Sequence, residues 1–154
     1  MWKKMKHTYF TWKAKRMTHQ KGEPPFSPLK KPLDTCRVAL ITTAGVLVKG
    51  EKEFDTENGD PSYRIIPRDV SIQHLTISHT HYDTSEALQD INVIFPLERL
   101  REWAEMKKIG SVADYHYGFM GYIPDPSPLI AGTAIEVADR LVKDQVDVVI
   151  LTPG

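Results

Sequence analysis

Arg37-Val38-Ala39-Leu40-Ile41-Thr42, running into Thr43-Ala44-Gly45, is the stretch that decides the fold. The run is β-branched and continuously apolar, so it has no side suited to water and belongs inside a sheet covered on both faces. The small residues after it make a turn whose backbone other groups can approach closely. A second run of the same kind, Asp147-Val148-Val149-Ile150-Leu151, leads into Thr152-Pro153-Gly154. Shorter strands are predicted at Tyr63–Ile66, stopped by Pro67, at Leu75–Ser78 and at Ser111–Ala113.

Helical periodicity fills the intervals. Asp83 or Thr84 can cap a short helix over 85–89. Pro96 suits a first helical position, with Leu97, Leu100, Trp103 and Ala104 on one face and Gly110 as the stop. A further helix is predicted over 129–143, with Ile130, Ala134, Val137, Ala138 and Leu141 as its buried stripe. Residues 22–35, with four prolines, read as an extended lead-in. Residues 50–62, a polar turn around His116 and the proline-rich 124–128 read as loops. Strands alternating with helices predict an α/β fold: an open, mostly parallel sheet flanked by helices, Rossmann-like in topology.

The 154 residues suit one domain, divided into a basic N-terminal arm over 1–25 and an α/β domain over 26–154. Of 20 basic and 20 acidic residues, nine and one fall in 1–31, which leaves eleven and nineteen for the rest, a net of −8. The basic head also carries Trp2, Tyr9, Phe10 and Trp12. That mixture is compatible with nucleic acid or an anionic membrane. Without a clean helical stripe it reads instead as an arm at the acidic body, and neither nucleic acid nor membrane is expected as a partner. No run approaches the ~20 apolar residues of a membrane span, and no secretory signal is visible. A cytoplasmic location is the expectation. The single Cys36 excludes an internal disulfide and a thiolate zinc cluster, and its place at a strand start suits an inert core residue.

Ligands in open α/β sheets gather at the carboxyl ends of the strands, where a following helix N-terminus favours anions. The last strand delivers Pro153 and Gly154 to that position; on these residues alone the domain either lacks its C-terminal part or ends with this strand.

Ordered blocks carry a resemblance. Ser27-Pro-Leu-Lys-Lys-Pro-Leu33, Arg37 to Val46, and Gly59-Asp-Pro-Ser-Tyr-Arg-Ile-Ile-Pro-Arg-Asp69 are the first three. Ser78-His79 with Tyr82-Asp83, Asp90-Ile-Asn92 through Glu102, His116-Tyr-Gly-Phe-Met-Gly121, and Asp147 to Gly154 complete them. Together they resemble the glycine/sarcosine/betaine/D-proline reductase selenoprotein B family over about residues 26–154. The resemblance implies a subunit for reductive cleavage of a C–N bond in an amino-acid-type substrate. It implies a selenocysteine or cysteine directly after Gly154, at the start of a helix, so that the chain as given lacks its nucleophile and is inactive. A helix N-terminus would lower the pKa of such a group. Selenocysteine is encoded by UGA, which ordinary gene prediction reads as stop. A pyruvoyl group on a partner subunit, a dithiol or thioredoxin-like electron donor and an oligomer are also implied. No dinucleotide fingerprint is present, since Thr43-Ala44-Gly45 is not G-x-G-x-x-G.

Within these blocks His79 and His116 are the candidate proton donors for the departing amine, or anion stabilisers beside the nucleophile. Tyr82, Asp83, Asp90, Asn92, Gly118, Gly121, Pro153 and Gly154 are the candidate pocket or supporting residues. Tyr117, Phe119, Met120 and Tyr122 could wall a pocket or pack as a loop. Two other functions compete. His79-x-His81-x-Asp83 after an apolar strand is similar to the first half of a metallo-β-lactamase zinc site, and would make a metal-dependent hydrolase. The expected next histidine is Thr84, however, and metal binding is not the expectation. A non-catalytic α/β module, binding through its basic head, is the third reading.

Overall fold

The computed structural model describes residues 27–153; the basic arm predicted over 1–25, like Gly154, lies outside the described residues. Seven strands form among the described residues: β1 (Arg37–Thr42), β2 (Val46–Val48), β3 (Tyr63–Pro67), β4 (Leu75–Ile77), β5 (Ser111–Val112), β6 (Tyr115–Phe119) and β7 (Val148–Thr152). The helices are α1 (Ser85–Gln89), α2 (Leu97–Glu105) and α3 (Ala134–Lys143), the last entered through a π-helical turn, Leu129–Thr133. Leu33–Thr35, within the stretch read as extended, is a 3-10 turn.

The main sheet is built around β1. β7 runs parallel along one edge, from Val38↔Val148 to Thr42↔Thr152. Val38 is partnered by Val112 as well, so β5 lies on the opposite edge, the one that β6 joins further on at Ile41↔Tyr117 and Thr42↔Gly118. β3 completes the sheet antiparallel to β6. β2 and β4 make a separate antiparallel pair. The chain is thus mixed α/β with a mostly parallel sheet, as expected, plus an antiparallel margin that the sequence did not suggest.

Alternation along the strands puts a helix on each face. Val38 and Leu40 of β1, with Val148 and Ile150 of β7, face Phe95, Leu97 and Leu100 in the larger core. Ile41, Tyr117 and Phe119 face the other way, onto Val137 and Leu141 of α3.

Four expectations need correction. His116 is not in a turn; it lies within β6 and is fully buried. The polar Asp114-Tyr115-His116 imitates a turn, but it marks a bulge. Between Val38 and Ile41 β1 advances three residues, while its neighbour advances five, from Val112 to Tyr117. Two extra residues in one strand locally break the ladder. His116 closes the break, because its Nδ1 accepts the Leu40 N–H at 2.9 Å. The second correction concerns α2, whose predicted stripe includes Trp103, which is 46% exposed. The third is its end: the helix stops at Glu105 and Lys107 takes the left-handed conformation (φ 55), so Gly110 is not the stop.

The fourth is the 129–143 stripe, of which Val137 alone is buried. Ala134 and Ala138 are exposed, and Ile130 is 66% exposed. The Ala134 N–H bonds to the Leu129 carbonyl five residues back. A π turn shifts the phase of a 3.6-residue repeat, so a stripe counted from Ile130 does not continue through Val137. The short β2, between Gly45 and the Lys49-Gly50 turn, was not foreseen.

Candidate functional site

The carboxyl ends of β1, β6 and β7 come together at one edge. The Thr43 N–H bonds to the Thr152 carbonyl at 3.0 Å, and the Gly45 N–H to the Phe119 carbonyl at 2.8 Å. Thr42 and Thr152, paired in register, both donate their hydroxyls to the Ile94 carbonyl, at 3.4 and 2.6 Å. Their sequence signal is a matched pattern of four apolar residues and then Thr, in 38–42 and in 148–152. These two threonines are absent from the predicted site, although they tie the end of β7 to the 90–94 segment.

Asp90 and Asn92 hold that segment. The Asp90 carboxylate accepts the Asn92 N–H at 3.0 Å and caps the 3-10 turn Ile91–Val93. Asn92 Nδ2 donates to Asp90 and to Glu98 Oε2, while its Oδ1 accepts the Glu98 N–H at 3.2 Å. Their side chains are spent on fixing the loop beside the strand ends.

On the other side of the edge lies the segment after β4. Tyr82 donates its hydroxyl to the Ala44 carbonyl at 2.9 Å, and its ring lies 4.6 Å from that of His79. Burial pushes the Tyr82 phenol up. His79 Nδ1 accepts the His81 N–H at 3.0 Å, and its ring also bonds to the Met120 backbone. Burial, followed by the neighbouring His81, holds the His79 pKa below its ordinary value, against the opposing effect of the Met120 bond. His81 stacks on Tyr122 with centroids 4.2 Å apart. Asp83 is exposed and accepts the Ser85 N–H at 3.0 Å, capping α1; that bond lowers its pKa.

Gly121 and Gly118 are required by close approaches. Gly121 has φ +85 and the place of its missing Cβ lies 2.6 Å from the Thr43 carbonyl oxygen. At Gly118 the corresponding distance, to the Val46 carbonyl oxygen, is 2.0 Å, so β2 crosses directly over β6. Tyr117, Phe119 and Met120 are core residues, whereas Tyr122 lies at the edge beside His81. Beside the strand ends an apolar cleft of about 260 Å³ is lined by Ile41, Thr43, Phe119, Val137 and Leu141.

The edge therefore gathers His79, Tyr82 and Gly121, with Asp90 and Asn92 behind the Ile94 carbonyl and Pro153 following β7. His116 stands apart, against Phe95 in the core, with its pKa lowered to about 4 by burial first and then by the Arg101 charge. The geometry does not assemble a metal centre from His79, His81 and Asp83. The first binds a backbone N–H through Nδ1 and the last caps α1. Among the described residues no three His, Cys, Asp or Glu side chains are grouped to hold a metal ion. No described helix is long and apolar enough to cross a membrane.

A mixed α/β chain with its polar groups at the carboxyl edge of parallel strands belongs to a broad structural class. Within it, this chain belongs to the family described as glycine/sarcosine/betaine reductase selenoprotein B, whose model matches residues 1–154. It is similar to the D-proline reductase subunit gamma of Acetoanaerobium sticklandii, 38% identical over 131 residues, covering 85% of this chain and 54% of the relative. Two glycine reductase complex component B gamma subunits also match. That of Symbiobacterium thermophilum is 29% identical, over 84% of this chain and 30% of its own length; that of Carboxydothermus hydrogenoformans is 31% identical, over 63% and 23%. The chain spans about half the length, or less, of the curated relatives it matches. No solved structure matches it significantly.

Proposed function

We propose that this chain forms part of a reductase subunit that cleaves a C–N bond in glycine, sarcosine, betaine or D-proline. D-proline stands first, because the D-proline reductase relative is matched over the largest share of its length. The overall reaction consumes a dithiol. Its two electrons and two protons end in a new C–H and a new N–H bond, and the dithiol becomes a disulfide. The nucleophile is a selenocysteine or cysteine after Gly154 in the full-length protein; a pyruvoyl group on a partner subunit binds the substrate nitrogen. A dithiol or thioredoxin-like protein supplies the electrons, and the subunits form an oligomer. Among this chain's own residues, Thr42 and Thr152 fix the direction in which the chain leaves β7. Asp90 and Asn92 hold the Ile94 carbonyl that receives them. Of the two histidines, His79 is the proton donor placed at this edge, and His116 holds the sheet together.

The observation that carries the reading is the joining of the β1 and β7 ends at Thr42, Thr152 and Ile94, the position where an α/β sheet presents its reactive groups. Completion of a Rossmann-like sheet by a helix beyond β7 belongs to the same proposal, and Leu151, 72% exposed on β7, gives such a helix a surface to cover.

Trapping tests it. The reduced, native full-length protein is treated with iodoacetate and its peptides are weighed. The modified residue is expected directly after Gly154, with Cys36 unmodified because it is fully buried. A full-length protein with no selenol or thiol following Gly154 contradicts the proposal.

A further inference from the structure

The cluster of His79, His81, Tyr82 and Tyr122 joins three parts of the fold. His79 reaches the end of β6 through Met120. Tyr82 reaches the end of β1 through the Ala44 carbonyl. The two rings lie against each other with centroids 4.6 Å apart. His81, on the same loop, crosses His79 edge-on at 5.5 Å and stacks on Tyr122. From the geometry we infer that the 78–82 loop is a proton-operated latch: neutral His79 holds Tyr82 on Ala44, and protonation of His79 releases the loop.

The argument rests on how the ring is used. His79 Nδ1 accepts a backbone N–H, that of His81. An imidazole nitrogen can accept only through its lone pair, and the imidazolium has none. Proton uptake at Nδ1 sets one N–H against another and breaks this bond. Of the described groups facing His79, the Met120 backbone alone favours the protonated ring, and it leaves Nδ1 and the His81 N–H opposed. On its own loop the facing groups are His81 and Tyr82; Asp83 is turned to the Ser85 N–H. From the end of β6 they are the Met120 backbone, with Tyr122 stacked on His81, and from the β1–β2 turn only the backbone of Ala44 and Gly45. Among the described residues the one charge acting on His79 is that of His81, which opposes a second positive charge. The lowered His79 pKa has the sign this arrangement requires. His116, with a pKa of about 4, stays neutral in the folded chain through the range in which the latch works, so its Nδ1 keeps the Leu40 N–H there.

The test uses NMR on the 154-residue chain between pH 7.5 and 5.0. The His79 ring signals should titrate, and with the same midpoint the His81 amide should become about tenfold faster in hydrogen exchange, after correction for the intrinsic rate. The Tyr82 ring resonances should move with them. His79→Asn keeps an acceptor near the Nδ1 position and cannot be protonated, so its His81 amide should stay protected at pH 5.5. His81→Gln should leave the response in place. If His79 titrates while the His81 amide and Tyr82 stay unchanged, or if His79 stays neutral down to pH 5.0, the latch does not exist. A His79→Asn chain that still opens at pH 5.5 overturns it too. The wild-type titration alone decides the matter should that variant fail to fold. Both outcomes are independent of the reductase proposal.

Discussion

Replacing Gly118 with alanine should unfold the chain or destabilise it by at least about 3 kcal/mol, which places it among the most damaging single substitutions. A Cβ at this position falls 2.0 Å from the Val46 carbonyl oxygen. That distance lies far inside van der Waals contact, and the obstacle is backbone, which cannot swing aside as a flexible side chain does. To admit the methyl group, either β2 must lift off β6 or β6 must leave its register with β1 at Thr42↔Gly118. Val46 belongs to the larger core and Tyr117 and Phe119 to the smaller one, so either movement opens packed apolar surface. Urea denaturation of wild type and variant at neutral pH measures the effect. Near-wild-type stability would show that β2 does not lie over Gly118.

The second large effect is an acid instability centred on His116. Its imidazole is fully buried, Nδ1 accepts the Leu40 N–H across the bulge, and Nε2 has no hydrogen-bond partner among the described residues. Nδ1 is thus the bare nitrogen of the neutral ring. In the unfolded chain the histidine takes a proton near pH 6.5, but in the folded chain only near pH 4. The unfolded state therefore binds more protons between these values, and stability falls as pH drops through that window. The stabilisation is full above about pH 6.5, and roughly 3 kcal/mol of it is gone by pH 4. Urea midpoints at pH 7.5, 5.5 and 4.5 should decline accordingly. In His116→Asn, which retains an acceptor for Leu40 without a titrating group, most of that decline should disappear. His116→Ala should be unstable at every pH, because it orphans a buried backbone N–H and leaves a cavity.

These two residues also show what can be read from the sequence. β1 was predicted with the bounds it has, and β7 within one residue at each end, because a fully buried strand is continuously apolar and needs no knowledge of its partners. The bulge at His116 depends on a register mismatch between strands far apart in the chain, so Asp114-Tyr115-His116 looks locally like a turn. The close approach at Gly118 is equally non-local. The misplaced stripe of α3 has a local cause, the π turn at Leu129–Thr133, but nothing in Leu-Ile-Ala-Gly-Thr specifies five-residue hydrogen bonding. The loop-fixing bonds of Asp90 and Asn92 are legible because side chains of this type commonly fix loops. Thr42 and Thr152 were missed because their shared acceptor, the Ile94 carbonyl, is visible only once β1 and β7 are paired.

The reductase proposal meets its most direct test in turnover. Full-length protein, assembled with the proposed pyruvoyl-bearing subunit and a dithiol, is offered D-proline, glycine, sarcosine and betaine, and disulfide formation is followed. The expected result is dithiol oxidation that depends on one of the four substrates, D-proline first, and that stops when the residue after Gly154 is alkylated. An assembled complex that oxidises no dithiol with any of them, or whose turnover survives that alkylation, contradicts the account.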